Sequence, residues 1–327
     1  MKKYLVYYDS GTTNSRIYLL NRDFTVRYTA KVPIGSRNSA IEGSNKVLIK
    51  ALYELYLDLL TETGVSEDDI EAIYGSGMLT TPYGLHVVPH LPLPVTAKSF
   101  ADGIYPFYED TLFRKTIHLI PGMKTVSDDM AFVNNLRGEE TELLGTLETL
   151  AEKTDSRNVA MIMPGSHTHV INVVDGEFKG IISNLTGEVF QALRAETVMA
   201  PILSIHDPVI VPEQVKKGFE NLERFGFTRA IYICHATRMF SVGSDNDRYS
   251  YAEGVVNGGV RQALEYYCEH LWQGCETAGV VSDELMFQVF KAVFDGSPFI
   301  KNVVHIPITS GMSYTVLGLK KILSAKA

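Results

Sequence analysis

The sequence predicts an α/β protein of two domains with mixed sheets and a cleft between them. Three observations carry that expectation. At 327 residues the chain is too long for one small core and suits two domains of ordinary size. It opens on an apolar strand, a Gly- and hydroxyl-rich turn and a second apolar strand, at residues 4–23. The same strand–turn–strand arrangement returns at residues 158–180, after a charged stretch, with helical periodicity in between.

Tyr4–Tyr8 is β-branched, aromatic or aliphatic throughout and reads as a buried strand. Ser10-Gly11-Thr12-Thr13-Asn14 is a tight polar turn in which Gly11 can adopt positive φ, and Arg16–Leu20 restarts a strand. Such a turn can hold phosphate through backbone amides and hydroxyls, with Asp9 facing a metal ion or its water; an ordinary polar hairpin is the alternative. Asn45–Gly64 carries Leu and Tyr at spacings of three and four, an amphipathic helix closed by glycine. Ala72–Tyr74 is a short buried strand running into Gly75-Ser76-Gly77, and Ile117–Gly122 is another strand ending in a turn. A helix is expected from Ser127 or Asp128 as N-cap to about Lys153, interrupted at Gly138. The charged segment Ala151–Asn158 is the expected boundary between domains 1–150 and 151–327, with the last helix free to pack back on the first domain.

Beyond the boundary come an apolar strand, the turn Gly165-Ser166-His167-Thr168, a second strand, an Asp175-Gly176 turn and a third strand. A further strand is expected over Ala230–Ile233, with His235 and Arg238 just past it. Two hairpins, each opening one half of the chain, describe a cleft with two facing phosphate loops, as in the actin-like, ribonuclease H-like ATPase and sugar-kinase architecture. Neither a GxxxxGK[ST] loop nor a GxGxxG turn leading into a helix is present.

Composition narrows the partners. The hydrophobic fraction of 45% and charged fraction of 21% are those of a globular protein. The net charge of −8, with Lys and Arg scattered, argues against nucleic acid. Three cysteines without a CxxC pair fit a reducing cytoplasm. No run reaches the roughly 18 apolar residues of a membrane span, and the five before Asp9 are too few for a signal peptide.

Several segments together resemble the 2-dehydro-3-deoxygalactonokinase family. They are the opening "DSGTTNSR", "SGMLTTPYGLHVVPHLPLP" from Ser76, "LIPGMKTVSDDMAFVNNLRGEETELLG" from Leu119, "MPGSHTHV", and "LTGE" over Leu185–Glu188. The match thins to "YAEGVVNGG" and to "ITSGMSYTVLGLKKI" over Ile308–Ile322. Ser10 stands where the family usually has Trp, and His169-Val170 where it has Lys-Trp. The family's adenosine-side strand and Gly-Thr turn are hard to recognise in Trp272–Phe287.

The resemblance implies an ATP-dependent sugar-acid kinase that phosphorylates the 6-hydroxyl of 2-dehydro-3-deoxy-D-galactonate, with Mg²⁺. The alternatives are a kinase of another 2-keto-3-deoxy acid or sugar, or a non-catalytic relative that binds nucleotide or sugar. It implies Asp9 at the metal, and Gly11, Thr12, Thr13, Asn14, Gly165, Ser166 and His167 at the phosphates. His167 and His169, two apart on a strand, could instead form a metal pair. Arg137 beside Glu139 and Glu140 reads alone as a surface ion-pair cluster. With the resemblance Arg137 becomes a candidate for the substrate carboxylate and Glu139 or Glu140 for the base, with Asp128-Asp129 as rival. Gly77, Met78, Thr186, Gly187 and Glu188 are implied at the sugar, although Thr186-Gly187-Glu188 also reads as a helix cap. Gly258-Gly259 either lets two helices pack closely or brings backbone near the nucleotide. A homodimer is an allowed state.

Overall fold

The computed structural model describes residues 3–308 and 313–326, so residues 309–312 of the Ile308–Ile322 segment lie outside the described residues. The chain forms two compact units, Met1–Leu147 with Ser313–Ala327, and Glu148–Met312.

In the first unit the strands β1 (Tyr4–Ser10), β2 (Ser15–Asn21) and β3 (Val26–Val32) form an antiparallel meander. Two helices follow, α1 (Ser36–Glu42) and α2 (Lys46–Thr63), then β4 (Ile70–Gly77), which pairs parallel to β1. Next come β5 (Leu91–Pro92), α3 (Ala97–Gly103), β6 (Tyr105–Glu109), β7 (Lys115–Leu119), β8 (Met123–Lys124) and β9 (Asn135–Leu136). The main sheet has the order β3-β2-β1-β4-β7-β6, and β5-β8-β9 form a small sheet of their own. β1 is buried over four consecutive residues, as a central strand covered on both faces must be. α2 lays Leu48, Leu52, Leu55, Tyr56 and Leu59 on Val6, Tyr8, Ile17 and Leu19, then stops at Gly64 with φ of 65°.

α4 (Glu139–Lys153) starts immediately after Gly138. In the second unit β10 (Asn158–Met163), β11 (Thr168–Val174) and β12 (Glu177–Asn184) form a second antiparallel meander. The helices α5 (Thr186–Glu196), α6 (Ala200–Leu203), α7 (Pro212–Phe225), α8 (Phe227–Met239) and α9 (Asp245–His270) follow, then β13 (Thr277–Ser282), α10 (Glu284–Val293) and β14 (Asn302–Pro307). The sheet order is β12-β11-β10-β13-β14, with β13 parallel to β10 and β14 parallel to β13. This is the pattern of β3-β2-β1-β4-β7, so the two units repeat one topology without repeating one sequence. β13 is buried along its whole length. It lies within Trp272–Phe287 and is followed by Asp283, whose side chain caps α10 by accepting from Met286 N at 2.9 Å.

The last helix, α11 (Tyr314–Ser324), belongs to the first unit. It crosses α4 at two glycines: a Cβ on Gly318 would collide with Thr141 O, and one on Gly145 with Tyr314 O. No helix among the described residues is long and apolar enough to cross a membrane.

Two expected elements differ. The helix expected from Ser127 begins only at Glu139. Residues before it form a polar loop in which the Thr125 hydroxyl donates to Phe132 O at 2.7 Å and accepts from Asn134 N at 2.7 Å. Asp129 caps only a short 3₁₀ turn, Met130–Phe132. Side-chain hydrogen bonds of Ser, Thr and Asp compete there with helix, and Gly138 has φ of 116°, outside any helix. Ala230–Ile233 lies inside α8 rather than in a strand, so His235 and Arg238 sit on a helix; four apolar residues alone do not distinguish the two.

Gly318→Ala is expected to push α11 off α4 and cost about 1–3 kcal/mol, read as a lower thermal midpoint with far-UV signal retained below it. An unchanged midpoint would contradict the direct backbone contact.

Candidate active site

Three chain segments touch in the first unit: the end of β1, the end of β4 and the start of α4. The parallel register sets Ser10 opposite Gly77 and Asp9 opposite Ser76. Gly77 has φ of 75°; a Cβ there would collide with Ser10 O and lie 3.6 Å from Gly138 Cα. Glycine is therefore required at 77 both by backbone conformation and by space.

The turn after β1 is held by its carbonyls. Gly11 N donates to Asn14 O at 2.8 Å, while Ser36 N and Arg37 N donate to Gly11 O and Thr12 O at 3.3 and 2.9 Å. Gly35 lies flat beneath it, since a Cβ there would be 2.5 Å from both of those carbonyl oxygens. Ser10 Oγ and Ser15 Oγ, 2.8 Å apart, close the base of the turn. With its carbonyls engaged, the turn leaves Gly11, Thr12 and Thr13 exposed, and Asn14 Nδ2 donates to Thr13 Oγ1 at 2.9 Å. Such a turn suits an anion better than a cation.

Beside it gather four carboxylates. Asp9 is half-buried, and burial raises its pKa against the pull of Arg16, its partner across the β1–β2 pair. Arg16 in turn donates through Nη1 to Tyr18 Oη at 3.0 Å. Glu139 and Glu142, one turn apart on α4, are each raised to about 7, chiefly by burial and further by Asp9. Glu140 is fully buried and raised to about 8 by burial and by Glu139; its Oε2 accepts from Gly138 N at 2.5 Å, and its Oε1 has no partner. Glu139 and Glu140, equivalent in sequence, thus have different surroundings: Glu140 caps its own helix from within, and Glu139 feels Asp9. Glu142 and Arg16 went unnoticed in the sequence, although Glu142 lies three residues after Glu139 and so on the same helix face.

The donor set fits Mg²⁺, which prefers hard carboxylate oxygens. Among the described residues no three acidic, His or Cys side chains are grouped closely enough to hold a metal by themselves. Asp128 is exposed in the polar loop, just before the 3₁₀ turn that Asp129 caps and well ahead of α4. Met78 opens a 3₁₀ turn directly after Gly77.

Arg137 does not form a surface ion-pair cluster. Nη1 donates to Thr80 O at 2.6 Å and to Thr80 Oγ1, and Nη2 to Val88 O at 3.0 Å. Its Nε and Nη2 face the ring of His90, at 3.2 Å from Nε2 and 3.0 Å from Nδ1. The guanidinium fork expected to be free is covered by an imidazole.

In the second unit, the turn expected to bind phosphate and the Thr-Gly-Glu motif form one structure. A Cβ on Gly187 would collide with Gly165 O, Glu188 N donates to Ser166 O at 2.9 Å, and Thr186 Oγ1 lies 2.7 Å from Thr168 Oγ1. His167 Nε2 sits 3.3 Å from Glu188 Oε1. Thr186-Gly187-Glu188 is thus the bed on which Gly165-Ser166-His167 rests, and the buried Thr186 hydroxyl is already engaged. His169 is buried and bonded to Ser183 Oγ at 3.0 Å, and burial lowers it to about 4, so it carries no charge at neutral pH. For the alternative His167–His169 metal pair, no third ligand is grouped with them among the described residues. Gly258 packs α9 on α7: a Cβ there would be 2.8 Å from Phe219 and Leu222 side-chain carbons.

A family profile described as 2-keto-3-deoxy-galactonokinase matches residues 9–304. A curated relative, a probable 2-dehydro-3-deoxygalactonokinase of Rhizobium meliloti (strain 1021), is 23% identical over 192 residues, 59% of this chain. The match spans 56% of that relative's length. A crystal structure named as a candidate 2-dehydro-3-deoxygalactonokinase of Sinorhizobium meliloti is similar at TM-score 0.74 and 17% identity, covering 99% of this chain and 98% of that one. A ROK family transcriptional regulator, a homologue of the E. coli MLC protein, follows at TM-score 0.50 and 11% identity, over 100% of this chain and 80% of that one.

Glu140 predicts a pH effect on stability. Its folded carboxyl is raised to about 8 from 4.5, so above the lower value the unfolded chain ionises while the folded one keeps its proton. Stability therefore falls as pH rises through that window. Glu140→Gln stays neutral in both states. Its thermal midpoint should exceed wild type by a margin that grows from about pH 5.5 to about pH 8.5, at about 2–4 °C per kcal/mol. A margin constant with pH would refute the buried proton.

Proposed function

The chain belongs to the 2-keto-3-deoxy-galactonokinase family, and on that premise we propose that it is a carbohydrate kinase of the actin-like ATPase fold that transfers the γ-phosphoryl group of ATP to the 6-hydroxyl of 2-dehydro-3-deoxy-D-galactonate in the cytoplasm. The observation that carries this reading is the convergence, in the first unit, of a carbonyl-engaged polar turn with Asp9 and Glu139. Phosphoryl transfer asks a protein for little covalent chemistry: phosphates held, their charge offset, and a carboxylate aimed at the attacking hydroxyl. The turn Gly11–Asn14 and the loop Gly165–His167 would each hold phosphate oxygens through amides and hydroxyls. Asp9 would hold Mg²⁺ directly or through water, and the ion would offset charge at the phosphates. Glu139 would accept the hydroxyl proton, because it lies near Asp9 and is only partly buried, whereas Glu140 is fully buried with its Oε2 held by Gly138 N. Ionised, it is a base matched to neutral pH.

ATP consumption against 2-dehydro-3-deoxygalactonate, its gluconate epimer and a plain sugar tests the reading, and turnover of a different acid would reassign the substrate. Asp9→Asn should lose at least about 10²-fold in kcat with the fold intact; near-wild-type activity at saturating Mg²⁺ would remove the metal role. Glu139→Gln should lose about 10²- to 10⁴-fold. In the wild type kcat should rise with pH through about 7, as Glu139 ionises, and the residual activity of the variant should lack that limb. If Asp128→Asn collapses kcat while Glu139→Gln does not, the base is misassigned.

A further inference from the structure

We infer that the Nε/Nη2 edge of Arg137 is a carboxylate fork occupied by His90 in the free protein, and that a carboxylate ligand binds by displacing His90. The fork itself follows from the geometry; only the identity of the acid, a 2-keto-3-deoxy sugar acid, rests on the kinase reading above.

The other three N–H groups of Arg137 fix the fork. Both on Nη1 are spent on Thr80, and one on Nη2 goes to the Val88 carbonyl. Thr80 is anchored in turn, its hydroxyl donating to Gly77 O at 2.8 Å and its carbonyl accepting from Val88 N at 3.1 Å. What remains is the pair of parallel N–H groups that a carboxylate matches with two oxygens. Here the two imidazole nitrogens of His90 take that place, at 3.0 and 3.2 Å.

An imidazole is a poor occupant. In its neutral form only one ring nitrogen has a lone pair, and the other carries a hydrogen directed at an Arg N–H. Protonation would make matters worse, and it does not occur at neutral pH: burial, Arg137 and Lys124 together hold His90 down at about 4. A carboxylate accepts at both oxygens, in charge-assisted bonds roughly twice as strong as neutral ones. The depression by Lys124 also places a second positive charge near the ring, so an anion there would be flanked by two cations. His90 is half-exposed, and its ring rests on Gly122, where a Cβ would lie 2.9 Å from His90 Cδ2.

The experiment compares two substitutions of the occupant, which leave Arg137 and its anchors in place. His90→Ala empties the fork and should lower the KM for the sugar acid by about 2- to 10-fold. His90→Glu fills it permanently and should raise that KM at least about tenfold. KM for ATP, and for a neutral sugar of similar size, should move by less than about twofold in both. Independently of turnover, the His90 ring signals in NMR should shift on adding 2-dehydro-3-deoxygalactonate, its gluconate epimer or pyruvate, and not on adding the neutral sugar. If none of these acids moves His90, or if both substitutions change acid and neutral KM alike, the fork reading is overturned. A shift of His90 without ATP-dependent phosphorylation would leave the fork standing and sink the kinase substrate instead.

Discussion

The first unit is organised by a contact that contains no side chain: the backbone of Ser10, Gly77 and Gly138 meeting at the ends of β1, β4 and the approach to α4. Parallel pairing of β1 with β4 sets the register, and the two glycines, both at positive φ, let the chains touch. Any Cβ at 77 would force the polar turn away from the acids of α4. The turn, Asp9 and Glu139 are therefore close together because of the backbone, and the side chains inherit that placement.

The acids of α4 show two effects in opposition. A helix N-terminus favours ionised carboxylates by typically 0.3–1 kcal/mol. Burial favours the protonated form, and displacements from 4.5 to about 7 and about 8 correspond to several times that amount, at about 1.4 kcal/mol for each tenfold change. Desolvation wins, and mutual repulsion among Asp9, Glu139 and Glu142 adds to it. Arg16, beside Asp9 and Glu142, and Arg137, beside Glu140, offset part of this.

Much of this was legible in the sequence where local chemistry and tertiary role agree. The opening hairpin, helix α2 and the second meander follow from apolar runs, periodicity and glycine stops. The approach to α4 was misread because Asp128, Asp129 and Gly138 fit a capped and interrupted helix as well as a loop; the hydrogen bonds of Thr125 with residues nine positions later decide it. Arg137 was seen as a fork, but its covering by His90 joins residues 47 apart and has no sequence signature. β13 was overlooked because a fully buried strand shows no alternation.

The glycine crossing of α4 and α11 has a consequence for synthesis. Residues 313–326 leave the ribosome only after all of Glu148–Met312. The second unit can close on itself while the chain is still growing. The first, made earlier, must wait with the groove along Thr141 and Gly145 unfilled until α11 emerges. Vectorial order is thus inverted at this contact: the α4–α11 crossing of the first unit can form only after the second unit has been made.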